Sequence, residues 1–136
     1  DHILASYAVR VREAIGPAEG LDRLCERVAF YVDDGVRDPV SLRAFMSILS
    51  AGQSHHELAP IVARLTRESV DGLADLIKRA RDKGEVRADA RPRAEASVIL
   101  ASMRGVMFQW LINPDHVSLS RVRDSLVTNI RRSLAS

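Results

Sequence analysis

The segment 97–112, SVILASMRGVMFQWLI, has one ionisable side chain, that of Arg104, in a chain in which 28% of the residues are charged. A surface helix usually has one apolar stripe and one polar face. Here two apolar faces coexist. The first has the spacing of packed helix pairs and comprises Ala94, Val98, Ala101, Gly105, Phe108 and Ile112. The second comprises Ile99, Met103, Val106 and Trp110. We therefore expect a helix that must be covered on both sides, in a domain that is incomplete as a monomer. The segment is too short, and its charge too central, for a membrane span.

The length of 136 residues predicts one domain, 1–136, able to bury a core without a disulfide or a metal. The single Cys25 fits a reducing compartment, and no basic-then-apolar signal segment opens the chain, so we expect a cytoplasmic protein. The formal net charge is +2, and the basic residues alternate with acidic ones. With few aromatic residues as well, this composition argues against a surface that binds nucleic acid.

Apolar periodicity and helix-end signals predict an all-α fold without strands. Asp38-Pro39 is a strong start signal, Ser54 with Glu57 has the spacing of a capping box, and Gly84 is placed as a C-cap glycine. Pro60 then either kinks the longest helix or marks a later start, and Ser118 can cap the last helix. Six helices are expected, between residues 4 and 15, 21 and 35, 38 and 52, 54 and 84, 92 and 113, and 118 and 134.

Taken in order, these pieces resemble the C-terminal domain of the tetracycline-repressor (TetR) family of bacterial transcription regulators. The resemblance is carried by LTRESVDGLADLIKRARDKGEVRADARPRAEASVILASMRGVMFQWLINPD and the amphipathic helix after it. In the family a long helix ends in a turn of the form K-G-E-hydrophobic-R-x-D, which segment 83–89 matches. An Ala-rich apolar helix with a central Gly follows, as in segment 94–112.

The helix-turn-helix head of that family is absent from this chain, which begins at Asp1 without a methionine. We therefore expect either a fragment or a protein whose head was removed, and operator DNA as a partner only through that head. The resemblance implies a six-helix domain in which the last two helices form a four-helix bundle with a second copy. The dimer interface would then contain Ala101, Gly105, Phe108, Ile112, Leu119, Val122, Leu126 and Ile130.

The resemblance also implies an effector pocket enclosed by the first four helices and the inner face of the fifth. The helix between residues 4 and 15 would link this pocket to the head. The predicted ligand-binding residues are Tyr7, Tyr31, Phe45, Leu49, Thr66, Ser69, Met103, Arg104 and Met107.

Arg104 has two interpretations: a snorkelling or ion-paired side chain, or a cation that meets an acidic group of the effector. Thr66 and Ser69 either bond back to their own helix or line a wet cavity. Met103 and Met107 belong either to the core or to the pocket.

Four other sites carry weaker signals. Phe30 lies opposite the main stripe of its helix, either exposed or in contact with the missing head, and Cys25 is expected to be a buried, inert thiol rather than a sensor. Asp33-Asp34 reads as a solvated turn. His55 and His56 are adjacent, point about 100° apart on a helix, and favour a helix-entry role over metal binding.

The sequence contains no HExxH, CxxC or Glu-x-x-His spacing, no nucleophile–base pair and no phosphate-binding loop. We therefore expect no enzyme, no metal and no cofactor. The function predicted is that of the ligand-sensing and dimerisation domain of a TetR-like one-component regulator. This regulator would be a repressor released from DNA by a small apolar or amphipathic effector. The alternative is a free-standing all-α protein-interaction domain.

Overall fold

The computed structural model describes residues 19–136. Within them the chain is all-helical, as predicted, and the only β pairing is an isolated bridge between Val86 and Ala135. The helix expected between residues 4 and 15, which carries Tyr7, lies outside the described residues. No helix in the part that is described combines the length and the apolar character needed to cross a membrane. The five helices are α1 (Gly20–Arg37), α2 (Pro39–Ala51), α3 (Ala59–Asp82), α4 (Pro92–Ile112) and α5 (Leu119–Leu134).

Two helix ends form as their local sequence predicts. The Asp38 carboxylate accepts a hydrogen bond from the Ser41 amide at 3.1 Å, so it caps α2, with a proline in the first turn. Gly84 adopts a φ of 80° after α3. Its amide and that of Glu85 donate to the carbonyls of Arg81 and Ala80, both at 2.9 Å. This is the Schellman arrangement, which requires a residue that tolerates positive φ.

Other boundaries differ from expectation. The capping box at Ser54 is wrong, because residues 52–58 form turns and α3 begins at Ala59, with Pro60 in its first turn. Pro60 therefore marks the later start. Ser118 occupies the N-cap position of α5, but its side chain makes no capping hydrogen bond. α1 extends slightly beyond Gly35, to Arg37.

α1 is the central helix, since it packs against each of the other four. The most extensive helix pair is α3 with α4, followed by α1 with α3 and with α5. The main core gathers apolar side chains from α1, α3, α4 and α5, among them the fully buried Leu24, Val28, Ile77 and Leu134. A second, smaller core lies at the other end of α1 and contains Val32, Leu42, Met107 and Leu119.

The charged turn 83–89 joins three helices that are distant in sequence. A Glu85 carboxylate oxygen accepts a hydrogen bond from the Leu21 amide at 3.1 Å, at the start of α1. The Arg87 amide donates to the carbonyl of Leu134 and its Nε donates to the carbonyl of Ser133, both at 2.9 Å, at the end of α5. The Arg87 guanidinium also pairs with Glu95 in the first turn of α4, at 3.4 Å. The motif on which the resemblance rests therefore connects the ends of three helices.

Gly20 and Gly84 provide a matched test of this turn. Both have positive φ, but a Cβ at Gly84 would meet nothing within 4 Å, whereas one at Gly20 would collide with the Glu85 carboxylate. We expect Gly84→Ala to lower the free energy of unfolding by about 1–2 kcal/mol from backbone strain alone. Gly20→Ala should cost roughly 1 kcal/mol more, because Glu85 must also give up its bond to the Leu21 amide.

Urea unfolding followed by circular dichroism measures both variants. In the Glu85→Ala background the extra cost of Gly20→Ala should disappear. An equal cost for the two glycine variants would show that the contact between Glu85 and α1 contributes nothing to stability.

Candidate functional site

A cavity of about 150 Å³ lies among α1, α2, α3 and α4. A cavity of this volume can hold a molecule of about the size of benzene. Its walls combine apolar side chains with several polar ones, which is the usual composition of small-molecule sites. The lining residues are Arg27, Tyr31, Asp34, Gly35, Asp38, Ser41, Leu42, Phe45, Ser69, Leu73, Leu100, Met103 and Arg104.

The structure brings most of the predicted ligand-binding residues to this cavity and leaves others outside its lining. Thr66 stands beside the lining through its contact with Arg104. Leu49 is not among the lining residues, and Met107 is fully buried in the second core. Tyr7 lies outside the described residues. The predicted residues that line the cavity are Tyr31, Phe45, Ser69, Met103 and Arg104.

Several lining residues were not predicted, above all Arg27 and Asp34 of α1. Both belong to an i, i+4, i+7 series with Tyr31, which places the three on one helical face. That series could have identified them. The predicted helix between residues 21 and 35 contains both, but Asp33-Asp34 reads as a solvated turn near its end, and Arg27 lies opposite its main apolar stripe. Asp34 is in fact buried, and Asp33 pairs with Arg123 of α5 at 2.8 Å.

Arg104 projects into this cavity from α4. Its Nη1 donates to the Thr66 hydroxyl of α3 at 3.0 Å. Within residues 19–136 no carboxylate pairs with it, so the predicted interhelical ion pair is not found there. The Thr66 hydroxyl accepts this bond instead of bonding back to its own helix. Burial lowers the pKa of Arg104, because a desolvated cation is penalised, and the nearby Tyr31 partly opposes this effect.

Tyr31 shares this environment. Burial raises the pKa of its phenol to about 12, because the phenolate would be poorly solvated, and Arg104 acts in the opposite direction. The cavity therefore keeps Tyr31 neutral, with a hydroxyl that can both donate and accept hydrogen bonds.

The outer side of α4 forms a second candidate surface. Val98, Phe108 and Ile112 are 64%, 54% and 67% exposed. All three belong to the first of the two apolar faces predicted from the sequence. A shallow groove beside them runs between α4 and α5. A Cβ at Gly105 would meet no described atom within 4 Å, so the packing of residues 19–136 does not require a glycine at that position.

The residues predicted for a dimer interface divide into two groups. Ala101, Gly105, Phe108 and Ile112 lie on the outer side of α4, and Val122 and Leu126 line the groove from α5. Leu119 and Ile130 are only 8% and 5% exposed, because α5 turns this part of its stripe into the cores of its own chain. They cannot form a surface for a partner in this conformation.

The remaining candidate residues lie outside the cavity lining and contact other parts of their own chain. Phe30 is buried, with the Arg37 guanidinium 5.8 Å from the centre of its ring, so the prediction of an exposed aromatic is wrong. Cys25 lies in the main core, where burial raises the pKa of its thiol. His55 Nδ1 lies 3.2 Å from the Ser54 hydroxyl in the turn before α3. In the part of the chain that is described, no three His, Cys, Asp or Glu side chains are placed to hold a metal ion.

Comparison with known protein families gives a match. The family model described as "BetI-type transcriptional repressor, C-terminal" matches residues 17–135 of this chain. No curated protein and no solved structure matches it. The matched range includes both the cavity and the outer side of α4.

The high pKa of Tyr31 predicts a pH dependence of stability. An unfolded tyrosine loses its proton near pH 10, whereas Tyr31 in the folded chain does so near 12. This contribution to stability is therefore fully present below pH 10 and is lost as the pH rises through 12. Between pH 9 and 11, the free energy of unfolding of the unaltered chain should fall by roughly 1 kcal/mol more than that of Tyr31→Phe.

Urea unfolding at the two pH values provides the measurement, and the comparison with Tyr31→Phe cancels alkaline effects elsewhere in the chain. Equal losses in the unaltered chain and in Tyr31→Phe would contradict a buried, neutral Tyr31.

Proposed function

The chain belongs to the BetI-type family of TetR regulator C-terminal domains, and we propose that it is the ligand-sensing and dimerisation part of a one-component transcription regulator. In this proposal a small apolar or amphipathic effector binds the cavity among α1, α2, α3 and α4. Two chains associate through the outer sides of α4 and α5. Operator DNA is bound only by a helix-turn-helix head that precedes this domain in the parent protein, and the effector releases that protein, a repressor, from DNA.

The cavity supports the sensing role. Its volume suits a small molecule, and Phe45 and Met103 provide an apolar wall while Tyr31, Ser69 and Arg104 offer hydrogen bonds. This combination permits both burial of an apolar body and orientation of a polar group. The catalytic alternative has less support, because within residues 19–136 the lining contains no histidine or cysteine to act as base or nucleophile.

The outer side of α4 supports dimerisation. Three large apolar side chains, Val98, Phe108 and Ile112, are mostly exposed along one helical face. Gly105 lies on the same face, although glycine inside a helix costs about 1 kcal/mol relative to alanine and no contact within residues 19–136 requires it. A second copy of α4 that approaches closely would explain both observations, because glycine allows two helices to come together and the apolar side chains then leave water.

α4 is also the element that connects the two roles. Met103 and Arg104 line the cavity, and Gly105 lies on the outer side within the same turn of helix. A ligand that favours one position of α4 would therefore change how the two copies meet, and with it the spacing of two attached heads. Effector binding would in this way weaken the fit to operator half-sites.

The alternative function, a free-standing protein-interaction domain, would use the same exposed face for a different protein. The coding sequence upstream of Asp1 separates the two proposals. A helix-turn-helix in the same reading frame supports the regulator, and an intact gene without one overturns it.

The dimer can be tested with charges on the exposed face. We expect Phe108→Asp and Ile112→Asp to reduce the particle mass, measured by light scattering, from that of two chains to that of one. The reason is that each change would bury an unpaired carboxylate in the interface. Val40→Asp is the matched control, because Val40 is an exposed valine on α2, away from this face. If the aspartate variants keep the mass of the unaltered chain, α4 does not form the interface.

The sensing role can be tested by filling the cavity. In the unaltered chain, millimolar phenol, benzyl alcohol or indole should raise the melting temperature by mass action. Ser69→Leu places a larger side chain in the cavity lining, and we expect it to abolish this increase while the chain stays folded by circular dichroism. Ala63→Leu, at an exposed position of α3, is the control and should keep the increase. An increase that survives in Ser69→Leu would place the binding elsewhere.

A further inference from the structure

We propose that the cavity selects a small ligand with an anionic group, of the carboxylate type, attached to an apolar body, and that Arg104 anchors the anion. This inference rests on the proposed sensing function and specifies the chemistry of the effector. It is carried by the juxtaposition of two guanidinium groups with an apolar wall in one small cavity.

The cationic side of the cavity comes from two helices. Arg27 of α1 and Arg104 of α4 both line it. Neither of them forms an ion pair with a carboxylate in the region 19–136. A guanidinium carries five N–H donors, and the single hydrogen bond of Arg104 within the described chain goes to the neutral Thr66 hydroxyl. Donors and charge therefore remain available to a ligand.

The burial of Arg104 explains why an anionic ligand would bind to it favourably. The side chain is about half-buried, and burial lowers its pKa because its charge is less well solvated than in water. A half-buried cation without a counter-ion costs free energy, and a ligand carboxylate would offset that cost with charge-assisted hydrogen bonds. A neutral ligand of the same shape would leave the cost in place.

The acidic groups of the cavity do not reverse this preference. Asp38 is engaged as the cap of α2, where it accepts the Ser41 amide. Asp34 is buried and has interactions of its own. Both carboxylates are therefore engaged already, whereas Arg104 keeps N–H donors for a ligand, so the lining favours an anion over a cation.

The apolar wall and the volume limit the rest of the ligand. Leu42, Phe45, Leu100 and Met103 surround the space. The volume of about 150 Å³ suits a single ring or a short branched chain. Thr66 acts here as a positioning residue, since its hydroxyl holds one arm of the Arg104 guanidinium. Benzoate is therefore a suitable probe, with benzamide and benzylamine as its neutral and cationic counterparts of similar shape.

The test measures binding of these three probes to the full 136-residue chain by isothermal titration calorimetry. The pH is about 7.5, at which benzoate is ionised. We expect benzoate to bind about ten- to a hundredfold more tightly than benzamide, and benzylamine to bind more weakly than benzamide. Arg104→Gln should reduce benzoate affinity to that of benzamide, while Arg104→Lys should retain part of the preference. Arg67→Gln removes an exposed arginine of α3 and is the matched control, with no expected effect.

A structural role for Arg104 would give a different result. If the residue mainly held α4 to α3, Arg104→Gln would lower the melting temperature of the unliganded chain. A role in anion binding leaves this temperature unchanged or raises it, because a desolvated cation has been removed. The proposal is overturned if benzamide or benzylamine binds as tightly as benzoate, or if Arg104→Gln binds benzoate like the unaltered chain.

Failure of this proposal can be distinguished from failure of the sensing function. Neutral compounds that still raise the melting temperature in a Ser69-dependent manner would leave the cavity as a ligand site without anion selectivity. If neither the charged nor the neutral compounds bind, both proposals fail.

Discussion

Burial of the inner side of α4 against α3 and α1 is the interaction on which the rest of the structure depends. Ile99, Leu100 and Met103 enter the main core, while Met107 fills the second core one turn further along. Because α4 contacts each of the other four described helices, its position fixes both the volume of the cavity and the course of the exposed apolar face. Different faces of α4 therefore belong to the core, to the cavity wall and to the exposed surface.

The charged turn 83–89 makes this arrangement possible. Glu85 receives the start of α1, and Arg87 connects the end of α5 with the first turn of α4. These contacts use groups at helix ends that would otherwise need other partners, so the turn fixes the mutual positions of three helices through hydrogen bonds rather than apolar area. This explains how a charged, solvent-facing motif can be typical of a fold whose proposed function lies elsewhere, in the cavity and on the outer side of α4.

The sequence predicted what depends on local chemistry. The cap by Asp38, the left-handed Gly84 and the two faces of α4 follow from neighbouring residues, and the structure contains all three. The sequence did not predict which helix faces are covered by other helices of the same chain. Leu119 and Ile130 have a helical stripe suited to a dimer, but the two cores of the same chain bury them. Asp34 is a related case: Asp33-Asp34 beside Gly35 reads as a solvated turn, whereas α1 continues to Arg37, and Gly35 packs too closely against Met107 and Leu42 for a larger side chain. Tertiary contacts of this kind have no signature in a local pattern.

Hydroxyl-radical footprinting of the unaltered chain tests most directly whether the outer side of α4 is covered by a second copy. In a single chain Phe108 is 54% exposed and Ile112 is 67% exposed, and both should then be oxidised readily. We predict that both are protected at micromolar protein concentration and that their oxidation rates rise on dilution, as two chains separate. Rapid oxidation of Phe108 and Ile112 at every concentration would contradict a shared α4 face and, with it, the link between cavity and partner.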